Sequence, residues 1–142
     1  MTTKNDCCGG GMTKVVLACS GGSNVGQMTN ESAKRLDVAG EAKFFCLAGV
    51  GGQISGMVAS VKGADKVLVL DGCPVACAKK CADQAGLTGY QYLVLTELGI
   101  EKKHAFDLPE ADLAKAMEAA RQSLGTSSKG KTCTCRGQGE CL

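Results

Sequence analysis

The 142-residue sequence predicts one α/β domain in three layers, with a mostly parallel sheet of about four strands and helices on both faces. Short runs of β-branched and aliphatic residues alternate with segments of helical periodicity. Short glycine-containing stretches connect them, and 44% of the residues are hydrophobic, which suffices for a packed core. Alternating strands and helices favour right-handed crossovers and a parallel sheet, as in Rossmann-like and flavodoxin-like folds.

Each predicted strand is a hydrophobic run that ends at a turn, and a helical segment follows it. The predicted strands cover residues 14–19, 42–47, 66–70 and 90–96, and the predicted helices cover residues 25–38, 54–61, 75–85 and 109–124. Glycine-rich turns are expected at residues 20–24 and 49–52. Pro74 is expected at the start of the third helix, and Asp107 is expected to cap the fourth.

Helical spacing also predicts which side chains of the first and last helices face the core. They are Val25, Met28, Ala33, Leu36 and Ala39 in the first helix, and Leu113, Met117 and Ala120 in the last. Gly40 and Gly125 are expected to end these two helices, because glycine is favoured just past a helix C-terminus.

The two ends of the chain differ in composition from its middle. Residues 1–13, with Cys7-Cys8 followed by three glycines, are predicted to form a flexible leader. Residues 126–142 are polar, contain glycine and lack apolar periodicity, so we predict a mobile tail that contains cysteines. The α/β domain, which is also the predicted metal-binding domain, is expected to occupy residues 14–125.

Ten cysteines are the unusual feature of the composition. Because the chain opens without the apolar segment of a secretory signal, we expect a cytoplasmic protein whose thiols serve metal or redox chemistry. A net charge of +2 gives no electrostatic reason to expect a nucleic-acid partner. No window approaches the ~18 apolar residues of a membrane helix, so no membrane partner is expected.

Three of the cysteines recur at a regular interval. Cys19, Cys46 and Cys73 lie 27 residues apart, each at the carboxyl end of a predicted strand. Because these ends share one edge of a parallel sheet and adjacent strands lie ~4.8 Å apart, the three thiols are expected to converge. Cys77, one helical turn after Cys73, can point back to the same place. Four thiolates are the ligands of a tetrahedral zinc site, so we predict a metal ion as the partner.

The glycines beside these cysteines fit a small site, because they let the backbone approach it closely. Backbone N–H groups and helix N-termini would offset the negative charge of four thiolates. Asp71 is either an acceptor that orients the residues around Cys73 or a turn-forming aspartate. The glycine-rich turns match neither a P-loop nor a dinucleotide fingerprint, so nucleotide binding is not favoured.

The remaining thiols and the single histidine are open to two interpretations each. Cys81 lies about 6 Å further along the helix than Cys77, which favours buried packing over ligation. His104 follows the fourth strand at the same edge, where a solvated loop histidine is favoured over a fifth ligand or a proton carrier. The thiols outside the predicted domain either bind a soft metal or have no fixed partner: Cys7, Cys8, Cys133, Cys135 and Cys141.

Four segments together resemble the DGC domain family. They are CSGGSNVG at Cys19–Gly26, FCLAGVG at Phe45–Gly51, VLDGCPVACAKK at Val69–Lys80 and TELGIEKKH at Thr96–His104. The resemblance covers about residues 15–118 and implies a zinc-binding protein. The family's chelating cysteines correspond to Cys19, Cys46, Cys73 and Cys77 in this chain. The resemblance implies no reaction.

Three functions are therefore expected to compete. A zinc-binding protein in storage, delivery or sensing would have no catalysis of its own, because a closed four-thiolate site leaves no position for a substrate. A thiol redox or sulfur-transfer enzyme would use Cys73, activated at a helix N-terminus, together with Cys77 or Cys46. An iron–sulfur protein is the third, because four thiolates also hold a cluster.

Overall fold

The computed structural model describes residues 11–125, in which four strands form one parallel sheet in the order β2-β1-β3-β4. The strands are β1 (Lys14–Ala18), β2 (Lys43–Phe44), β3 (Lys66–Asp71) and β4 (Gln91–Val94). The helices are α1 (Asn24–Val38), α2 (Leu47–Gly51), α3 (Ser55–Lys62), α4 (Cys77–Gln84) and α5 (Glu110–Leu124). None of the helices in this part of the chain has the length and hydrophobicity needed to cross a membrane.

The central strands β1 and β3 are covered on both faces, which confirms the predicted three-layer α/β fold. Alternate residues of β1 point to opposite sides of the sheet. Val16 packs into a core with α1 and α5, whereas Val15 packs into a second core with α2, α3 and α4. Val15–Ala18 in β1 and Val67–Leu70 in β3 are continuous aliphatic runs, as expected where both faces of a strand are covered.

The predicted inward-facing residues of α1 and α5 are buried, except for one. Ala39 is exposed because α1 ends at Val38, and Ala39 is already the C-terminal capping residue. Gly125 ends α5 in the left-handed conformation, with φ +67°, as predicted. The predicted leader up to residue 10 and the predicted tail at 126–142 lie outside the described residues, together with the five cysteines in them.

Four predictions about strand lengths, turns and caps are wrong. Strand β2 is only two residues long, and the expected glycine-rich turn at residues 49–52 is mostly helical, because Leu47–Gly51 forms α2. The fourth strand ends at Val94, where a 3₁₀ turn begins. Asp107 does not cap α5: that helix begins at Glu110 and its capping residue, Pro109, makes no side-chain hydrogen bond.

Pro74 does not begin a helix. The chain after β3 first makes a tight turn, closed by a hydrogen bond of 3.2 Å from the Ala76 N–H to the Cys73 carbonyl oxygen. Pro74 is the second residue of this turn, a position that its fixed φ also favours. Helix α4 therefore begins at Cys77, so that Cys77, and not Cys73, lies at the helix N-terminus.

The loop after β3 packs directly on the first turn of α1. A Cβ at Gly72 would lie 2.7 Å from the carbonyl carbon of Val25 and 2.8 Å from the nitrogen of Gly26. These are main-chain atoms that cannot rotate away. The absence of a side chain at Gly72 therefore allows the loop that carries Cys73 to approach α1.

We expect Gly72→Ala to lower the free energy of unfolding by about 2 kcal/mol or more, because overpacking against fixed atoms displaces the loop. Urea unfolding measures the effect. Gly22→Ala is the matched control, because a Cβ there would meet nothing within 4 Å. Equal stability of the two variants would contradict the close packing.

Candidate functional site

The strand order reverses between β1 and β3, and ligands of open α/β sheets bind at the carboxyl ends of the strands at such a point. Cys19 follows β1 and Cys73 follows β3, so the two cysteines flank this crevice. Cys46 follows β2 at the same edge, and Cys77 begins α4. All four predicted ligands therefore lie along one edge of the sheet, as their spacing predicts.

Two adjoining cavities open at this edge. The smaller, of about 220 Å³, is lined by Cys19, Cys73 and Cys77 together with Lys102. The larger, of about 600 Å³, is lined by Cys19, Cys46, Cys77 and Cys81. Cys19 and Cys77 line both cavities and therefore lie between them.

The thiols do not form a closed metal site in this conformation. Within residues 11–125, no three histidine, cysteine, aspartate or glutamate side chains are grouped closely enough to hold one ion. All five cysteines of this region are free, with Cys46 and Cys77 exposed and the others half-buried. The soft sulfur donors fit zinc chemically, but ligation would require their side chains to rotate toward a common point.

Cys19 is held by a buried threonine of α1. Its Sγ lies 3.4 Å from the Thr29 Oγ1, which donates a 2.7 Å hydrogen bond to the Gly26 carbonyl oxygen. The same hydroxyl oxygen accepts from the Ser20 N–H at 3.3 Å. Ser20 has φ +52°, a left-handed conformation that costs a non-glycine residue energy. Thr29 therefore holds both the sulfur and the strained turn beside it.

Cys46 acts as the capping residue of α2. Its sulfur accepts the Gly49 N–H at 3.4 Å, the position that a serine or aspartate oxygen usually occupies at a helix N-terminus. This places the sulfur beside backbone N–H groups, as the sequence predicts for the thiols of this edge. The exposed Cys46 thiol is thus oriented by the backbone alone.

Asp71 connects the central strand to α4. Its buried carboxylate accepts the Ala78 N–H at 2.8 Å and the Lys79 N–H at 3.0 Å, so it caps this helix from outside the helix. The Tyr92 hydroxyl donates a third hydrogen bond, of 2.9 Å. Of the two interpretations left open by the sequence, the structure favours orientation: Asp71 fixes the first turn of α4 and hence Cys77.

The residue before Cys77 is strained. Ala76 has φ +61°, in the left-handed region that favours glycine. Strained residues of this kind persist only where the surrounding structure holds them, and they concentrate at functional sites. Strain therefore lies directly beside both cysteines that the cavities share.

Lys102 is a site residue that the sequence reasoning missed. Its Nζ lies 3.4 Å from the Cys73 Sγ and donates to it, so the positive charge of the lysine lies beside this sulfur. The buried Asn24 holds the lysine's loop: its side chain donates to the Glu101 carbonyl oxygen at 2.8 Å and accepts the Lys103 N–H at 2.6 Å. Both Asn24 and Lys102 lie in segments that carry the family resemblance, which is the one signal the sequence offers for them.

His104 belongs to the same loop but lines neither cavity. Its Nδ1 lies 3.1 Å from the Gly22 carbonyl oxygen, and its ring meets Phe106 edge-on with centroids 5.7 Å apart. The histidine is exposed. Its contacts agree with the favoured interpretation, a loop histidine, and attach the loop to the turn after β1.

The DGC domain model matches residues 15–120, which is more than half of the chain. The protein belongs to the DGC domain family. A curated relative, the anaerobic and virulence modulator AnvM of Pseudomonas aeruginosa, is 37% identical over 115 residues, which cover 81% of this chain and 88% of AnvM. No solved structure matches the chain. The glycine-rich turn after β1 and the Asp71–Cys73 segment both lie within the matched DGC domain.

The hydrogen bond from Tyr92 to Asp71 can be tested because the chain has two tyrosines and no tryptophan. Burial, and then the bond to the Asp71 carboxylate, raise the pKa of Tyr92 well above its usual value. The neutral phenol therefore stabilises the fold below the ordinary tyrosine pKa of ~10. This contribution is lost as the pH rises through the higher pKa of the folded state.

We expect Tyr92→Phe to lower the free energy of unfolding by about 2 kcal/mol at neutral pH, because the buried Asp71 carboxylate loses a hydrogen-bond donor. Tyr90→Phe is the control, since the Tyr90 hydroxyl meets an exposed partner, Asp83, and its loss should cost under ~1 kcal/mol. In the Tyr90→Phe protein, tyrosinate absorbance reports Tyr92 alone. As the pH is raised, this absorbance should appear at a higher pH than it does for free tyrosine. Ionisation near the free value would contradict the contact.

Proposed function

We propose that this DGC-domain protein is a cytoplasmic zinc-binding protein that handles or senses the metal through thiolates at the carboxyl edge of its sheet. One observation carries the proposal: the predicted ligands Cys19, Cys46, Cys73 and Cys77 line two adjoining cavities that share Cys19 and Cys77. Zinc accepts thiolate ligands at ~2.3 Å in a tetrahedral arrangement. Bound zinc would supply a positive centre that holds these sulfurs together.

The site suits an exchangeable metal better than a structural one. Structural zinc stabilises domains that cannot fold without it. Here two hydrophobic cores cover both faces of the sheet. Cys46 and Cys77 are exposed, so a chelator or a partner's thiol can reach them. The AnvM relative is named as a modulator, which agrees with a sensing role.

Two groups of the chain can balance the charge of a thiolate site. The Lys102 ammonium meets Cys73, and the Gly49 N–H meets Cys46. These groups lie where they can offset the negative charge of thiolate ligands.

The test is the zinc content of alanine variants in the full-length chain. Serine first replaces the cysteines outside residues 11–125: Cys7, Cys8, Cys133, Cys135 and Cys141. This background protein should bind about one zinc per chain, since four thiolates complete one tetrahedral site. Alanine variants of the predicted ligands should lose most of the zinc while keeping the helical circular dichroism of the background protein.

Wild-type protein is the comparison that shows how much metal the outer cysteines hold. Unchanged zinc in all alanine variants would overturn the proposal. An absorption spectrum of anaerobically purified protein separates zinc, which is colourless, from an iron–sulfur cluster.

A second candidate, a thiol redox or sulfur-transfer activity at Cys73, is favoured by Lys102. The sequence-based reason for activation, a helix N-terminus at Cys73, is wrong because α4 begins at Cys77. The ammonium 3.4 Å from the sulfur supplies positive charge in its place. Cys77 shares the smaller cavity with Cys73 whereas Cys46 does not line it, so Cys77 is the better resolving thiol.

We expect Lys102→Gln to slow alkylation of Cys73 in metal-free protein by about 3- to 10-fold, since the variant removes the positive charge that donates to this sulfur at 3.4 Å, and two unit charges at ~4 Å interact by ~1 kcal/mol in water. Mass spectrometry identifies the modified cysteine at each time. Lys103→Gln is the matched control, because Lys103 pairs with Glu101 at 3.7 Å instead. Equal rates in the two variants would argue against activation by Lys102.

A further inference from the structure

The smaller cavity brings a nucleophile and a positive charge together. It is lined by Cys73 and Lys102, and the Lys102 Nζ lies 3.4 Å from the Cys73 Sγ. We propose that this cavity binds a small disulfide that carries an anionic group, and that Cys73 accepts one half of it. The proposal rests on the second candidate function, thiol chemistry at Cys73, and names the substrate class of that chemistry.

The volume of the cavity limits what can enter. A cavity of ~150 Å³ holds a benzene molecule, so one of about 220 Å³ admits a group of roughly ten non-hydrogen atoms. This is the size of one half of a disulfide formed by a small thiol. The exposed Val75 also lines the cavity and provides an apolar contact for the carbon atoms of that half.

The charges around the cavity favour an anion. Among the described residues that line it, Lys102 is the one cationic side chain and Asp71 is the one anionic side chain. The Asp71 oxygens are already occupied, because they accept the Ala78 and Lys79 N–H groups and the Tyr92 hydroxyl. The Lys102 ammonium instead donates to a sulfur, which is a weak acceptor, and an ammonium has three donors. It can therefore also bind a carboxylate.

The first turn of α1 adds to the attraction for an anion. Gly21, Gly22, Ser23 and Gly26 form one wall of the cavity, where this helix of 15 residues begins. The N-terminus of a helix carries a partial positive charge. The Gln27 side chain donates to the Gly21 carbonyl oxygen at 2.9 Å and so holds the turn against the helix. This wall is therefore fixed by contacts within the protein.

The proposed step is a thiol–disulfide exchange. The Cys73 sulfur attacks one sulfur of the bound disulfide, so that a new S–S bond forms and the original S–S bond breaks. The departing half takes the proton of the Cys73 thiol and leaves as a free thiol. Cys73 is oxidised to a mixed disulfide while the departing half is reduced. The disulfide is itself the oxidant, and no further reagent is needed.

The test compares small disulfides that differ in charge: dithiodipropionate is anionic, hydroxyethyl disulfide is neutral and cystamine is cationic. Each is mixed with metal-free, full-length protein, and peptide mass spectrometry follows the loss of each free thiol. Cys73 should react about tenfold faster with dithiodipropionate than with cystamine, because the ammonium attracts one and repels the other. Hydroxyethyl disulfide should react at an intermediate rate.

Cys46 is the internal reference, since it is exposed but does not line the smaller cavity. Its ratio of the two rates gives the preference that arises without this cavity. Equal ratios at Cys73 and Cys46 overturn the anionic substrate and leave the thiol reactivity of Cys73 intact. If Cys73 reacts with none of the disulfides faster than Cys46 does, the second candidate function is overturned as well.

A lysine pair separates recognition of the anion from the reactivity of the sulfur. A ratio of two rates at one thiol cancels the reactivity of the thiol itself. Lys102→Gln should lower the ratio at Cys73 to that of the internal reference. Lys103→Gln is the matched control and should keep the ratio, because Lys103 pairs with Glu101 at 3.7 Å. An unchanged ratio in Lys102→Gln overturns the proposal. Zinc is absent throughout, so each of these outcomes leaves the zinc-binding function to its own test.

Discussion

The buried carboxylate of Asp71 is the constraint on which the site depends. An ionised carboxylate away from water is costly unless its oxygens are hydrogen-bonded. Here two backbone N–H groups of α4 and the Tyr92 hydroxyl satisfy it. The carboxylate oxygens keep these hydrogen bonds only when β3, α4 and β4 keep their relative positions. Burial of Asp71 therefore favours one arrangement of the three elements. Those positions in turn place Cys73 and Cys77.

Stability and chemistry are assigned to different parts of the molecule. The central strands and the helices that cover them bury aliphatic side chains in two cores. The thiols lie at the carboxyl edge, beside left-handed Ser20 and Ala76, where the backbone is strained and the side chains reach solvent. The two buried cores support the sheet that carries this edge, and strained residues persist only where the surrounding structure holds them.

Much of the fold could be predicted because strand and helix periods are local properties of the sequence. The failures occurred where two local signals competed. Pro74 is favoured both at the first position of a helix and in a tight turn, and the turn formed because Asp71 caps the helix three residues later. Gly49–Gly52 suggested a loop, but the backbone there continues from the Cys46 cap as a helix. Asp107 has the chemistry of a cap, yet α5 begins beyond it.

The sequence by itself determined that Cys19, Cys46 and Cys73 lie along one edge of the sheet, because each follows a strand and parallel strands end together. Only the tertiary structure decided how those thiols are divided between cavities. That division depends on where α4 begins, which face it turns to α2, and how Asn24 holds the distant loop that carries Lys102. These are contacts between residues far apart in the chain. Such contacts cannot be predicted from periodicity or from a local sequence motif.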